Sequence, residues 1–296
     1  MRRCPYGMLG GMCGRYAASR SPDDLVEEFD IAALPEVRLA PDWNVAPTKD
    51  VYVVVERRPR DSEGVPSAAV EPTRQLQVMR WGLVPGWAKD PAIGSRMINA
   101  RMETVLEKPA FKRAFAKRRC LVPADGYYEW YTPIDGPKGR GGRPLKQPFY
   151  IHPADGGVLA MAGIFEFWRD PTRTEDDPRA WLMTTAVLTT DAEDAVGQIH
   201  DRMPLFVERE HWDDWLDPDI DGSTSDLADL LIPASTGKLD AYPVSTAVNN
   251  VRNNGPDLIL AVESDGDDVE KALAAPSVDL AALATSDSED PAQRLF

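Results

Sequence analysis

The chain has 296 residues, 43% of them hydrophobic, which supplies one large core or two small ones. No apolar run reaches the roughly 18 residues of a membrane span, and no apolar stretch follows Arg2 and Arg3 as it would in a signal peptide, so a globular, cytoplasmic protein is expected. Three cysteines (Cys4, Cys13, Cys120) with no CxxC pair speak against a disulfide framework or a structural zinc site, and the net charge of -15 argues against a nucleic-acid partner until its distribution is read.

Residues 1–11 show no periodicity and end in a glycine pair, the pattern of a disordered leader or one missing from the mature chain. Pro22 to Phe29 predicts a short helix, with proline at its start, acids in its first turn and Leu25, Val26 and Phe29 on one face. Val51 to Val55 predicts a strand, 57–72 a loop, and Leu76 to Trp81 a second strand. Lys108 to Arg118 places Ala110, Phe111, Ala114 and Phe115 at helical spacing. Short β-rich runs follow at Cys120 to Tyr131, Phe149 to Ile151, Val158 to Phe167 and Ala180 to Thr189, with an exposed loop over 133–148. Helical signals return at Asp191 to Ile199, Glu208 to Leu216 and Ser225 to Leu231, and Tyr242 to Ala247 predicts a last strand. The acid is segregated. Residues 263–296 hold nine acids and two bases, an expected disordered tail, and 205–240 hold ten and two, so the remainder sums to zero. Within that remainder Arg96 to Arg119 carries eight basic residues against Glu103 and Glu107, either a phosphate-binding face or solvated charge.

Four segments concentrate reactive side chains: Met12-Cys13-Gly14-Arg15-Tyr16, Ile98-Asn99-Ala100-Arg101-Met102-Glu103, Gly126-Tyr127-Tyr128-Glu129-Trp130 and Ile199-His200-Asp201-Arg202-Met203-Pro204. Singly, each has a bland reading: a cysteine as a small core residue, a glutamate as a structural hydrogen-bonder, a histidine with its bonds satisfied. Four more motifs accompany them, Asn44-Val45-Ala46-Pro47-Thr48, Trp81-Gly82-Leu83-Val84-Pro85, Arg119-Cys120-Leu121-Val122-Pro123 and Gly163-Ile164-Phe165-Glu166-Phe167-Trp168. In this order the eight resemble the SOS-response-associated peptidase (SRAP) family, whose members are abasic-site processing proteins, and the likeness spans residues 12–262.

The resemblance implies an α+β fold, with mainly antiparallel strands in a twisted, partly closed sheet flanked by helices. It also implies a covalent chemistry. Family members carry a cysteine directly after the initiator methionine, and Cys13 after Met12 matches that position. An N-terminal cysteine is a 1,2-aminothiol: its amine condenses with the aldehyde of a ring-opened abasic deoxyribose, its thiol adds to the imine, and a five-membered thiazolidine closes intramolecularly. Glu129 is the implied proton shuttle, His200 the acid that opens the sugar ring, and Asn99 the group that orients the amine or the sugar. Arg15, Arg101 and Arg202 would grip phosphates and Trp81 would stack a base, or sit in the core. Cys120 reads as core, and His152 and His211 as structural or surface residues.

The partner so implied is single-stranded DNA containing abasic sites, with no metal, cofactor or membrane; a monomer is expected, associated with the nucleoid when bound. Residues 1–12 depart from the family pattern, so either Met12 is the true start or the chain cleaves itself before Cys13. A thiol autopeptidase or wider hydrolase, with lyase-type chemistry on the DNA side, therefore stands as the alternative, and a non-enzymatic single-strand binder as a third reading.

Overall fold

The computed structural model describes residues 13–59, 70–133, 137–139, 141–174, 176–192, 199–223, 226–232 and 238–262. Five strands form a closed ring: β3 (Asp50–Arg57), β4 (Thr73–Trp81), β6 (Arg119–Ala124), β9 (Leu159–Arg169) and β10 (Trp181–Asp191). Antiparallel ladders join β4 to β3, β3 to β6, β6 to β9 and β9 to β10. A short parallel pairing of β10 with β4, Thr184 opposite Arg80 and Thr185 opposite Trp81, closes it. Closure gives each of these five strands a paired neighbour on both sides for at least part of its length. β5 (Asn99–Arg101) adds to β10 in parallel and β11 (Arg202–Pro204) in antiparallel register, while β12 (Phe206–Val207) and β13 (Leu231–Ile232) extend the sheet beyond β9.

The second sheet is wholly antiparallel, in the order β14 (Leu239–Pro243), β8 (Gln147–Pro153), β7 (Gly126–Tyr131), β1 (Tyr16–Ala18), β2 (Asp42–Val45). Its packing explains why β3 reads as an unbroken apolar run rather than an alternating one. Tyr52 and Val54 face a cluster with helices α1 (Pro22–Phe29), α2 (Lys112–Lys117) and α3 (Trp212–Leu216), while Val51, Val53 and Val55 face Tyr16, Tyr127, Phe149 and Ile151 of the second sheet. A strand covered on both faces needs apolar residues on both. The layer between the two sheets also holds Cys13.

The mainly antiparallel, partly closed architecture matches the expectation; β5 and the closing β10–β4 pair are its parallel exceptions. α1 forms as predicted, held by a reciprocal Ser21–Asp24 capping box. α2 is shorter than the predicted 108–118, because Lys108 to Phe111 form turns and Phe111 provides no side-chain cap. It does pack through Phe115, which is 1% exposed. The predicted strand at 242–247 stops at Pro243; Ser245 caps a 3-10 turn, Thr246–Asn249, through the amide of Ala247. The predicted helix at 225–231 is a 3-10 turn, Asp226–Leu230, running into β13. Asp191, the predicted start of a helix, ends β10, and 193–198 lie outside the described residues, as do the leader 1–12 and the acidic segment 263–296. Among the described residues no helix is long and apolar enough to cross a membrane.

Candidate active site

Cys13, Asn99, Glu129 and His200 come from four separate stretches of chain and meet at one place. Cys13 precedes β1 and is 3% exposed; Asn99 opens β5, 86 residues away, and its Nδ2 donates to the Cys13 carbonyl oxygen at 3.0 Å. β1 pairs with β7 so that Tyr16 opposes Tyr127, which brings Glu129 alongside Cys13. The Glu129 carboxylate is 1% exposed, and the backbone N–H groups of Cys13 and Trp130 favour its charged form against that burial. Residue 13 thus lies between Asn99, which donates to its carbonyl, and the Glu129 carboxylate, which its backbone N–H influences.

His200 stands on the far side of the carboxylate, with Nε2 4.0 Å from Glu129 Oε2. Its Nδ1 accepts the Arg202 backbone N–H at 3.1 Å, which assigns the proton of the neutral ring to Nε2, facing Glu129. The same Nδ1 lies 3.1 Å from the exposed Asp201 carboxylate, a contact that becomes attractive once the ring takes a second proton.

Burial dominates the electrostatics. Desolvation pushes the Glu129 carboxyl well above the ordinary carboxylate range, against the pull of its two backbone donors, so a proton is retained far longer than on a solvated glutamate. The Cys13 thiol is pushed up by burial first and by the nearby Glu129 second, opposed by the Arg15 backbone N–H that donates toward the sulfur. A carboxyl placed against a peptide nitrogen and a thiol, with a histidine behind it, can carry protons to and from both nucleophilic atoms of residue 13.

A paired glycine contact sets the position of Asn99. Gly82 follows Trp81 at φ 128°, and Gly94 sits in the 3-10 turn Pro91–Arg96; a Cβ on either would lie 2.5 Å from the carbonyl oxygen of the other. Only glycine permits so close a backbone approach, which fixes the turn leading into β5 against the end of β4.

The arginines and Trp81 fare differently from the sequence expectation. Trp81 is 1% exposed, donates its indole N–H to Ile98 O at 2.9 Å and meets Tyr16 edge to face at 5.0 Å between ring centres, so its core role is the one observed and no face remains for a base. Arg202 is 8% exposed and its fork is already filled: bidentate to Glu103 at 2.8 and 3.0 Å, with further bonds to Asp191 and Thr189 O. It clamps β11 to the β5 end through Glu103, and its backbone amide bonds His200 Nδ1, so the guanidinium faces carboxylates in this structure. Arg15 does not share a face with Cys13. It donates to Asn44 Oδ1 at 2.7 Å and Val248 O at 2.9 Å and lies over the Trp130 ring, whereas Cys13 and Tyr16 face the other cluster. Arg101 is exposed beside Asn99 and enters no ion pair among the described residues.

The basic stretch 96–119 is not one surface either. Arg119 is buried with all its bonds on backbone carbonyls of 115–116 and 215–220, burial lowering its pKa to about 10; Arg118 pairs with Glu166 and Lys117 with Asp221. Cys120 is fully buried, 3.5 Å from Thr185 Oγ1, its thiol pushed up to about 12.

Sequence reasoning passed over a cleft of about 790 Å³ lined by Trp87, Trp181, Phe167, Arg57 and Arg113, together with the Arg118–Glu166 pair. Trp87 is 62% exposed and Trp181 56%, unusual for tryptophan. Nothing in the hydropathy pattern separates Trp87 from the buried Trp81; the Pro85-Gly86 turn ahead of it was the available signal. The buried Asn44 was quoted only within its motif, yet it receives Arg15 and donates to the carbonyls of Val248, Asn250 and Asn253, tying β2 to the C-terminal turns.

Known proteins bear on this geometry. A family model, SOS response associated peptidase (SRAP), matches residues 12–251. The abasic site processing protein YoqW of Bacillus subtilis is 37% identical over 249 residues, covering 84% of this chain and 99% of its own. The abasic site processing protein HMCES of Gallus gallus is 34% identical, covering 88% and 78%. The Escherichia coli abasic site processing protein YedK is 32% identical, covering 85% and 100%. A crystal structure of a protein from Bacteroides thetaiotaomicron superposes with a TM-score of 0.65 at 25% identity, covering 85% of this chain and all of that one. By sequence, fold and the motifs that build its site, the chain belongs to the SOS response associated peptidase (SRAP) family.

Proposed function

We propose that the protein processes abasic sites in DNA, trapping the ring-opened sugar of a single-stranded lesion as a thiazolidine on Cys13 once that residue begins the chain. The observation that carries this reading is the convergence on residue 13: Asn99 donates to its carbonyl, and the buried Glu129, influenced by its backbone N–H, has His200 on the other side. The freed amine attacks the C1′ aldehyde, and the carbinolamine loses water as Glu129 delivers a proton to the departing hydroxyl. The Cys13 sulfur then adds to the iminium carbon; the C–S bond forms, the C=N pair returns to nitrogen and the thiol proton leaves through Glu129. His200, with a proton on Nε2, serves the sugar oxygen as the ring opens. Arg101 and the cleft of Trp87, Trp181, Arg57 and Arg113 provide cations and stacking faces for flanking nucleotides, the pairing that sequence-tolerant single-strand binders use.

The test uses abasic and intact oligonucleotides with the chain opening on Cys13, which retains every described residue. A heat-stable adduct on denaturing gels, formed with the abasic strand alone and lost in Cys13→Ala, is expected; salt-sensitive binding with no adduct, unaffected by Cys13→Ala, would refute the reading in favour of a binding module.

A second reading, self-cleavage before Cys13, is favoured by one contact. The backbone nitrogen that influences Glu129 is the leaving nitrogen of the bond joining residues 12 and 13, so the same carboxyl can protonate it as the thiol takes over the acyl group and water releases it. Intact-mass measurement should then find twelve residues lost from the full chain and none lost from Cys13→Ala.

A further inference from the structure

Three buried polar atoms without a partner among the described residues lie on one face of the second sheet. Tyr16 and Tyr127 oppose each other across β1 and β7, and Glu129 follows Tyr127 by two residues on the same face. Both tyrosines belong to the side-chain cluster that contains Cys13, at 1% and 0% exposure, and among the described residues neither hydroxyl has a hydrogen-bond partner; nor does Glu129 Oε1. Other tyrosines of the fold are satisfied: Tyr128 donates to Trp43 O at 2.7 Å, Tyr52 accepts the Leu39 amide at 2.6 Å and Tyr242 donates to Ile259 O at 2.8 Å. A buried O–H left unpaired is costly, and two of them in the cluster that holds a buried cysteine keep polar atoms available within an apolar layer.

We propose that the Tyr16 and Tyr127 hydroxyls are positioning residues for Cys13, supplying the O–H donors that hold negative charge on sulfur while its proton departs. This rests on the crosslinking chemistry proposed above. A thiol in an apolar layer loses its proton reluctantly, and the sulfur is the atom whose charge changes as the C–S bond forms. Both phenols feel the Cys13 thiol, and burial pushes both well above the ordinary tyrosine range, so they stay protonated, and able to donate, at neutral pH. Among the described residues the other charged or titratable groups around the cluster are Glu129 and Tyr131 on β7, Cys120 on β6, His200 and Asp201 ahead of β11, Asp42 on β2 and Lys146 ahead of β8.

The test compares Tyr16→Phe, Tyr127→Phe and the double variant with the parent, all opening on Cys13, with Tyr128→Phe as control. The thiol is titrated by its rate of alkylation with iodoacetamide against pH, read at the Cys13 peptide by mass spectrometry, and crosslinking is followed in parallel. Losing a donor to the thiolate should raise the midpoint by about one pH unit and slow alkylation about tenfold at neutral pH. Tm should hold or rise, because the phenylalanine variants lose an unpaired buried hydroxyl. Tyr128→Phe, which loses a made bond, should lower Tm and leave the midpoint alone. Midpoints unchanged in both single variants and the double overturn the proposal, and so does a lowered Tm without a midpoint shift, which would make the hydroxyls structural. A shifted midpoint in a parent that forms no adduct supports the role of the hydroxyls while refuting the crosslinking reading.

Discussion

Glu129→Gln separates the chemistry of the carboxyl from its place in the fold. The amide is nearly isosteric, and its oxygen can still accept a backbone N–H from Cys13 or Trp130, so the site should stay assembled while proton transfer stops. A positioned acid–base group contributes about 10² to 10⁴ in rate, and crosslinking by the variant should fall by that factor with DNA binding retained. Stability should respond in the opposite sense. Burial holds the native carboxyl well above its unfolded value, so as pH rises from the ordinary glutamate range the unfolded chain loses this proton first. Across that window this group lowers the stability of the parent by about 1.4 kcal/mol per pH unit, and the loss levels off once the native carboxyl is also ionised. Glutamine does not titrate. Its Tm relative to the parent should therefore improve from pH 4 to pH 8, measured by calorimetry at several pH values. An unchanged crosslinking rate, or a Tm difference that does not move with pH, would refute the reasoning.

Asn99→Ala leaves the buried Cys13 carbonyl without its donor, which should cost about 1 to 3 kcal/mol and slow crosslinking; a chemical denaturation curve beside a single-turnover assay reads both. Trp81→Ala should destabilise by about 3 to 5 kcal/mol, whereas Trp87→Ala and Trp181→Ala should leave Tm unchanged and weaken single-strand binding by about 1 to 3 kcal/mol each in fluorescence anisotropy. Arg202→Ala should cost about 2 kcal/mol and slow the reaction through His200, with the salt dependence of DNA binding unchanged because its guanidinium faces carboxylates; a reduced salt slope would show that it touches phosphate. Gly94→Ala should cost about 1 to 3 kcal/mol by forcing a Cβ against Gly82 O, and a variant as stable as the parent would contradict the close approach.

Much of the architecture was legible before any coordinates. Val51 to Val55, Leu76 to Trp81 and Ala180 to Thr189 read as strands because β-branched and aromatic side chains suit a pleated, buried surface, and Pro22 to Phe29 read as a helix because its cap and its apolar spacing agree. Cys13, Asn99, Glu129 and His200 stood out by chemical type and by their ordered motifs. Their convergence depends on register: Tyr16 opposite Tyr127 brings a carboxyl to residue 13, and β5 lying parallel on β10 brings an amide to it. The same long-range pairing buries Trp81 yet leaves Trp87 exposed, and surrounds Arg202 with carboxylates while Arg101 faces solvent. Local sequence determines which backbone conformation a segment prefers and which chemistry its side chains carry. Which of those side chains are enclosed, and beside what, follows from contacts between segments about a hundred residues apart, and only the folded chain decides them.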